Sequence, residues 1–444
     1  MFLKGSLLLI GLPSAALLCA TTPFRQGSTV RVSLSSFQQQ GNGVSEYPSI
    51  SANGRYIAFE SQADNLVQGD TNGVDDIFVH DRYTGQTTLV SVSSNGQVGN
   101  GESVEPSISP DGRYVAFSSV ANNLVDADSN GSRDVFVHDR QAGMTSRVSV
   151  STTGEQGNDD SIDPSVSANG RYVAFGSKAN NLVSGDPYYW DIFVKDRQTG
   201  ITTIVSVSST GERGQNHSWQ PKITPDGRHV TFWSWSNMLD PEHPGGGAQP
   251  IYIHDRQTAK TSLVSISSTG QHGNNFSSSP STSDDGRFVA FDSSANNLVE
   301  GDSNGTSDIF LRDRQTGQTK RVSVSSGGEQ ANQASYFTSI SGDGRYIAFT
   351  SKASNLVQGD TTLYDVFVHD QETGQTTIVS VSSTGQRGNN YSGYVTPSSI
   401  SGDGRFVAFE SWSRSLVQGD TNNLSDVFMH QYLAKPPLGK SPPR

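Results

Sequence analysis

A short signature recurs seven times along this chain: a Gly-Arg step, then an aromatic residue or histidine, then mostly apolar positions. It stands at Gly54, Gly112, Gly170, Gly227, Gly286, Gly344 and Gly404, with spacings of 58, 58, 57, 59, 58 and 60 residues. A period of this length marks one supersecondary unit repeated, because each unit buries its apolar faces only against its neighbours. Seven copies account for nearly all of the 444 residues. The architecture must therefore repeat seven times.

Each copy reads as four short strands. In the second, Pro106–Ser109 is strand A, Pro110–Gly112 a tight turn, and Arg113–Ser119 strand B. A long polar loop from Val120 to Arg133 leads to strand C, Asp134–Asp139. Ala142-Gly143 marks the next turn, and Thr145–Val150 is strand D. The runs are rich in β-branched and aromatic residues and are bounded by Gly, Asn, Asp and Pro, the signature of strands and their turns. Strand B is apolar on both faces, Tyr114 and Ala116 on one and Val115 and Phe117 on the other. A sheet buried on both sides fits a blade held between two other blades. The expected fold is all-β: a seven-bladed β-propeller with four antiparallel strands per blade.

Closure of the ring is readable too. Thr29–Ser36 matches strand D although no blade precedes it, and the seventh copy stops after strand C, Asp426 to Tyr432. The N-terminal strand is expected to complete the last blade, which hides an edge open to aggregation. The propeller then spans 29–432, with a short segment 21–28 before it and a Pro-rich tail, 433–444, expected to be disordered.

Residues 1–20 read as a signal peptide: Lys4 is their only charge, Leu7 to Cys19 is an apolar run, and Ala20-Thr21 offers a cleavage region. The run is short and interrupted by Gly11 and Pro13, which argues against a membrane span. Cys19 is the sole cysteine. Leu18 stands where lipidation would want a small residue, which argues against a lipoprotein. The expected address is periplasmic or extracellular, with no disulfide in the mature chain. The formal net charge of −12 argues against nucleic acid, whose phosphates need clustered Lys and Arg.

The run Pro106-Ser-Ile-Ser-Pro-Asp-Gly-Arg-Tyr-Val-Ala-Phe-Ser-Ser119, followed by Asp134-Val-Phe-Val-His-Asp139, resembles the WD40-like repeat of TolB-type propellers. The resemblance covers roughly 29–432. It implies a scaffold and an envelope or extracellular address and names no partner. These 444 residues leave no room for the α/β domain that precedes the TolB propeller, or for the hydrolase domain of prolyl oligopeptidase relatives.

Two repeated features are architectural, since a single active site does not recur six times. The B–C loop carries paired aspartates, among them Asp70 with Asp76, Asp128 with Asp134 and Asp302 with Asp308, with Asn72, Asn130 and Asn304 between them. The plain reading is an Asx-turn. The alternative is calcium, held by alternate oxygen ligands, although the distal Glu of a full calcium loop is missing. His80, His138, His254, His369 and His430 share one position of strand C with Lys195 and Arg312. That exchange excludes a metal ligand and suggests an electrostatic contact between blades. The following aspartates, Asp81 and its equivalents, are expected to pair with Arg or turn amides.

Function is sought where the repeat is broken. Four of the five tryptophans fall between 190 and 235. Tyr188, Tyr189 and Trp190 lie in the B–C loop of blade 3; His217 and Trp219 lie in the connection to blade 4, and Trp233 and Trp235 at the end of its strand B. Antiparallel order brings these segments to one rim, where exposed aromatics bind sugars or proteins; packing of a divergent loop is the alternative. Hydrolase and phosphate-binding motifs are absent. Off-repeat His217, His229, His243 and His272 could converge on a metal, as in lyases of acidic polysaccharides that resemble this repeat. The leading expectation is a non-enzymatic interaction module for a protein or glycan partner. A metal-dependent polysaccharide lyase or hydrolase and a calcium-stabilised envelope protein are the alternatives.

Overall fold

A computed structural model describes residues 27–185, 188–236, 238–240 and 249–432. The expected signal peptide with Cys19 and the Pro-rich tail lie outside them. Seven four-stranded antiparallel sheets follow one another in chain order. The first is Ser45–Ile50, Tyr56–Ser61, Asp76–Asp81 and Gln86–Leu89. In the seventh, Thr29–Arg31 pairs with Asp426–Gln431, Thr29 opposite His430, so the ring closes as expected.

Strands B and C are buried along nearly their whole length. Each blade sets two rings across this pair, such as Phe59 on Phe78 at 5.8 Å and Phe409 on Phe428 at 6.1 Å. Blade 4 uses Phe232 and Tyr252 at 6.0 Å. Cores form between blades: Ala58, Ile77 and Val79 of blade 1 pack with Val115, Phe117 and Phe136 of blade 2.

The Gly-Arg step is an interblade lock. Gly112 has φ +78°, and a Cβ placed there would lie 2.1 Å from the Tyr56 ring of the preceding blade. Gly54 seats Phe406 in the same way and carries the lock across the seam. Tyr56 is then sandwiched by two guanidiniums, Arg55 at 4.7 Å and Arg140 of the next blade at 4.6 Å. Arg55 also grips Asp81 through two hydrogen bonds of 3.0 and 2.7 Å. The same fork recurs as Arg113–Asp139, Arg171–Asp196, Arg228–Asp255, Arg287–Asp313 and Arg345–Asp370, each at 2.7 Å. In blade 7 Gln431 replaces the aspartate, and Arg405 faces Asp403 at 3.6 Å.

The strand C histidines correct the electrostatic expectation. Burial holds His80, His138, His254, His369 and His430 down to about 4, so the rings are neutral. His80 Nδ1 lies 2.9 Å from Thr87 Oγ1. That hydroxyl donates to the Leu34 carbonyl, so the ring N–H is the donor. Lys195 replaces it by donating to the Gly200 and Ser151 carbonyls at 2.7 and 3.0 Å. Arg312 reaches Gly317 and Ser267 at 2.7 and 3.2 Å. The position selects a hydrogen-bond donor that joins strands and blades, and charge is incidental to it.

Candidate functional site

The B–C loops and the D–A connections open on one face of the ring. In the loops, Asn72, Asn130 and Asn304 make Asx-turns to the amides of Val74, Ser132 and Thr306 at 3.2, 3.0 and 3.0 Å. Their amide groups donate to Asp76, Asp134 and Asp308 at 2.6, 3.0 and 3.1 Å. At two of the three loops where calcium was an expectation the blade supplies its own cation, as blade 7 also does where Arg31 lies 3.5 Å from both Asp420 and Asp426. Arg147 lies 3.7 Å from Asp128 and 3.5 Å from Asp134. Arg321 lies 3.4 Å from Asp302 and 3.3 Å from Asp308. Gln156 and Gln330 bridge the same pairs. In blade 1, Leu89 and Val98 occupy the Arg and Gln positions, so Asp70 and Asp76 face neither. Burial pushes Asp76 up to about 6.

The blade 3–4 aromatics do assemble. Trp219 stacks on Trp233 at 4.5 Å and meets Trp235 edge-on at 5.2 Å. His217 touches Tyr189, Trp219 and Trp235 at 5.3, 5.1 and 5.8 Å. The Trp190 amide donates to His217 Nδ1 at 2.9 Å, joining loop to connection. The Trp190 ring lies over Gly176, 4.0 Å from where a Cβ would stand. Tyr188, Met238 and Trp235 project, at 64%, 63% and 46% exposure. The cluster thus has a packed base and an open apolar crest.

The described off-repeat histidines do not share a centre. His217 belongs to this cluster, and His229 takes the lock position at the opposite end of its sheet, its ring against Gly286. His272 bridges Ile266 in the connection to blade 5, and His243 lies outside the described residues. Among the described residues no three His, Cys, Asp or Glu side chains are grouped to hold a metal.

Two features escaped the sequence reading. Tyr364, Tyr391 and Tyr394 form a second ring cluster at the blade 6–7 rim, with centroids 4.9 to 6.0 Å apart. Tyr364 and Tyr391 stand at the repeat positions of Trp190 and His217. The other feature rings the axis. Strand A bulges in six blades, and Tyr47, Glu105, Asp163, Gln220, Ser279 and Phe337 at the bulges all have φ between +49° and +58°. Side chains of this region cap the strained amides blade by blade: Glu60 accepts from Glu105 N at 3.0 Å, Glu105 from Asp163 N at 2.9 Å, and Asp292 from Phe337 N at 3.3 Å. Non-glycine residues held in this conformation gather at functional sites.

No family model matches the chain, and no curated protein matches it. Solved structures do. An oligogalacturonate lyase from Vibrio parahaemolyticus superposes with a TM-score of 0.54 at 12% identity, covering 92% of this chain and 98% of that one. The β-propeller domain of the Trilobed protease from Pyrococcus furiosus gives 0.54 at 11% identity, covering 88% and 96%. TolB from Acinetobacter baumannii gives 0.40 at 15% identity; the match covers 75% of this chain and 62% of that one. The Vibrio and Pyrococcus likenesses show the fold, a β-propeller, here of seven blades. The Pyrococcus domain is described as an open velcro, whereas Thr29–Arg31 closes the present ring. No described helix is long and apolar enough to cross a membrane.

Proposed function

We propose that the protein is an exported, non-enzymatic interaction module that holds a glycan or protein partner on the rim of blades 3 and 4. The observation that carries this reading is the packed cluster of Trp219, Trp233 and His217 with Trp235 exposed on it, flanked in sequence by the exposed Tyr188 and Met238. The base holds the Trp235 ring before a partner arrives, so little of its side-chain entropy is lost on binding. Aromatic anchors of this kind dominate binding energy, each costing on the order of 2 kcal/mol when truncated. Export rests on the N-terminal sequence pattern.

The test is solid-phase binding to a glycan array and to immobilised envelope proteins, with the mature chain beside Tyr188→Ala/Trp235→Ala. Melting temperatures are compared first, and Tyr188→Ala alone is run beside the pair, because Trp235 also packs on Trp219 and His217. Binding by the parent and loss in the variant supports the proposal; equal binding by both removes the rim from it. Calcium is proposed only for blade 1, where Asp70 and Asp76 meet no Arg or Gln. A calcium-induced rise in melting temperature that disappears in Asp70→Asn is the expected sign, and no rise in the parent refutes it.

A further inference from the structure

The inner strands of all seven blades wall a cavity of about 420 Å³ on the propeller axis, within the size range of small-molecule sites. None of the rim cluster's rings lines it, and Gln220 of its wall accepts from Trp233 Nε1 at 3.1 Å. One inward position of strand A is serine in six blades: Ser49, Ser107, Ser165, Ser281, Ser339 and Ser399. Each of these hydroxyls accepts a main-chain amide of the next blade, as Ser49 does from Ile108 at 3.1 Å and Ser165 from Ile223 at 3.0 Å. The others accept from Val166, Ile340, Ile400 and Ile50 at 3.1 to 3.2 Å. Accepting uses a lone pair and leaves the hydroxyl proton to give. The cavity wall is therefore a ring of poised donors.

In blade 4 this position is Lys222. Its side chain reaches the water of the cavity while protein surrounds it. Among the described residues its ammonium has no hydrogen bond and no ion pair within 4 Å, and Asp163 and Glu105 act on it only through space. The carboxylates nearest to it are already engaged. Glu105 accepts from the Ser118 hydroxyl at 3.0 Å and from the Asp163 amide. Asp163 accepts from the Gln220 amide; burial and then the Glu105 charge push it up, while the Lys222 ammonium acts to lower it. Tyr47 and Phe337 add ring faces to the wall.

We infer that the central cavity binds a small hydroxylated monocarboxylate, its carboxylate paired with Lys222 and its hydroxyls accepting from the serine ring. One negative charge matches one ammonium. A multivalent anion such as phosphate would be repelled by Glu105 and Asp163 more strongly than a single carboxylate, and a neutral polyol would leave Lys222 unpaired.

The test is isothermal titration of the full chain with sodium gluconate, beside glucose and inorganic phosphate. Lys222→Ser, which installs the residue of the other six blades, is compared with Lys222→Arg. Saturable gluconate binding is expected in the parent and in Lys222→Arg, weakened about tenfold or more in Lys222→Ser, with weaker or no binding of the two comparators. Melting temperatures should agree within a degree or so. No saturable gluconate binding up to tens of millimolar overturns the inference, as does tighter binding of phosphate or equal binding by Lys222→Ser. A Lys222→Ser variant that loses several degrees of stability at neutral pH while gluconate binding is unchanged would make Lys222 a counter-ion to Asp163 instead.

Discussion

Changing Gly112 to Ala tests whether the Gly-Arg step locks neighbouring blades. Two costs are expected. A φ of +78° places an L-residue in the left-handed region at about 1 kcal/mol. The added methyl would also lie 2.1 Å from the Tyr56 ring, an overpacking that costs about 2 kcal/mol once the ring shifts. The sum is about 3 kcal/mol. With an unfolding entropy near 2.1 cal/mol/K per residue over roughly 400 residues, the melting point falls by about 4 °C. Gly96 is the control, since its φ is +82° and nothing lies within 4 Å of an added Cβ. Gly96→Ala should cost only about 1 kcal/mol, the backbone component. Denaturant midpoints of both variants, and of Gly112→Ala in a Tyr56→Ala background, separate the components. In that background the cost should shrink to the Gly96 value. If Gly112→Ala is no more damaging than Gly96→Ala, the lock is not what holds the blades in register.

Three further outcomes follow from the same structure. Asp139 is held down to about 2, chiefly by the Arg113 fork, so its contribution to stability is complete above the ordinary carboxylate range and is lost as pH falls through 4 toward 2; melting curves of Asp139→Asn should show a flatter acid limb than the parent. Glu60 runs the other way, since burial raises it to about 8 and folding then favours its protonated form, costing stability as pH rises from about 4.5 through 8; Glu60→Gln should melt higher than the parent at pH 9 and equally at pH 5. Deleting the chain through Arg31 removes the strand paired to Asp426–Gln431 and bares an edge, so size-exclusion chromatography should show self-association and calorimetry a lower transition.

The scaffold was legible because the repeat states it seven times. Gly112 and its equivalents mark the turns, and the unmatched Thr29 strand announces the closure. The blade 3–4 cluster was legible as well, since Trp190, Trp219, Trp233 and Trp235 break a consensus that holds elsewhere. The strand C histidines misled, because exchange of His80 for Lys195 and Arg312 suggests charge; the shared property is an N–H donor, visible only once burial is known. The blade 6–7 tyrosines escaped because they sit in the copy with the longest spacing, 60 residues, where alignment to the repeat is loosest. The axial ring escaped for a different reason. A bulge at Tyr47 or Glu105 is a matter of register, which the sequence states only through the following Pro. Lys222 was within reach, since aligning the Pro-Ser-Ile triplets singles it out.

Hydrogen exchange of the mature chain, alone and saturated with a partner captured from the envelope or medium, bears most directly on the rim as a binding surface. Protection is expected in the peptides that carry Tyr188 to Trp190, His217 to Trp219 and Trp233 to Ser236, with the opposite face unchanged. Protection confined to the turns of that opposite face, around Asp139 to Gly143 and Asp313 to Gly317, would contradict the assignment and move the function to the other end of the propeller.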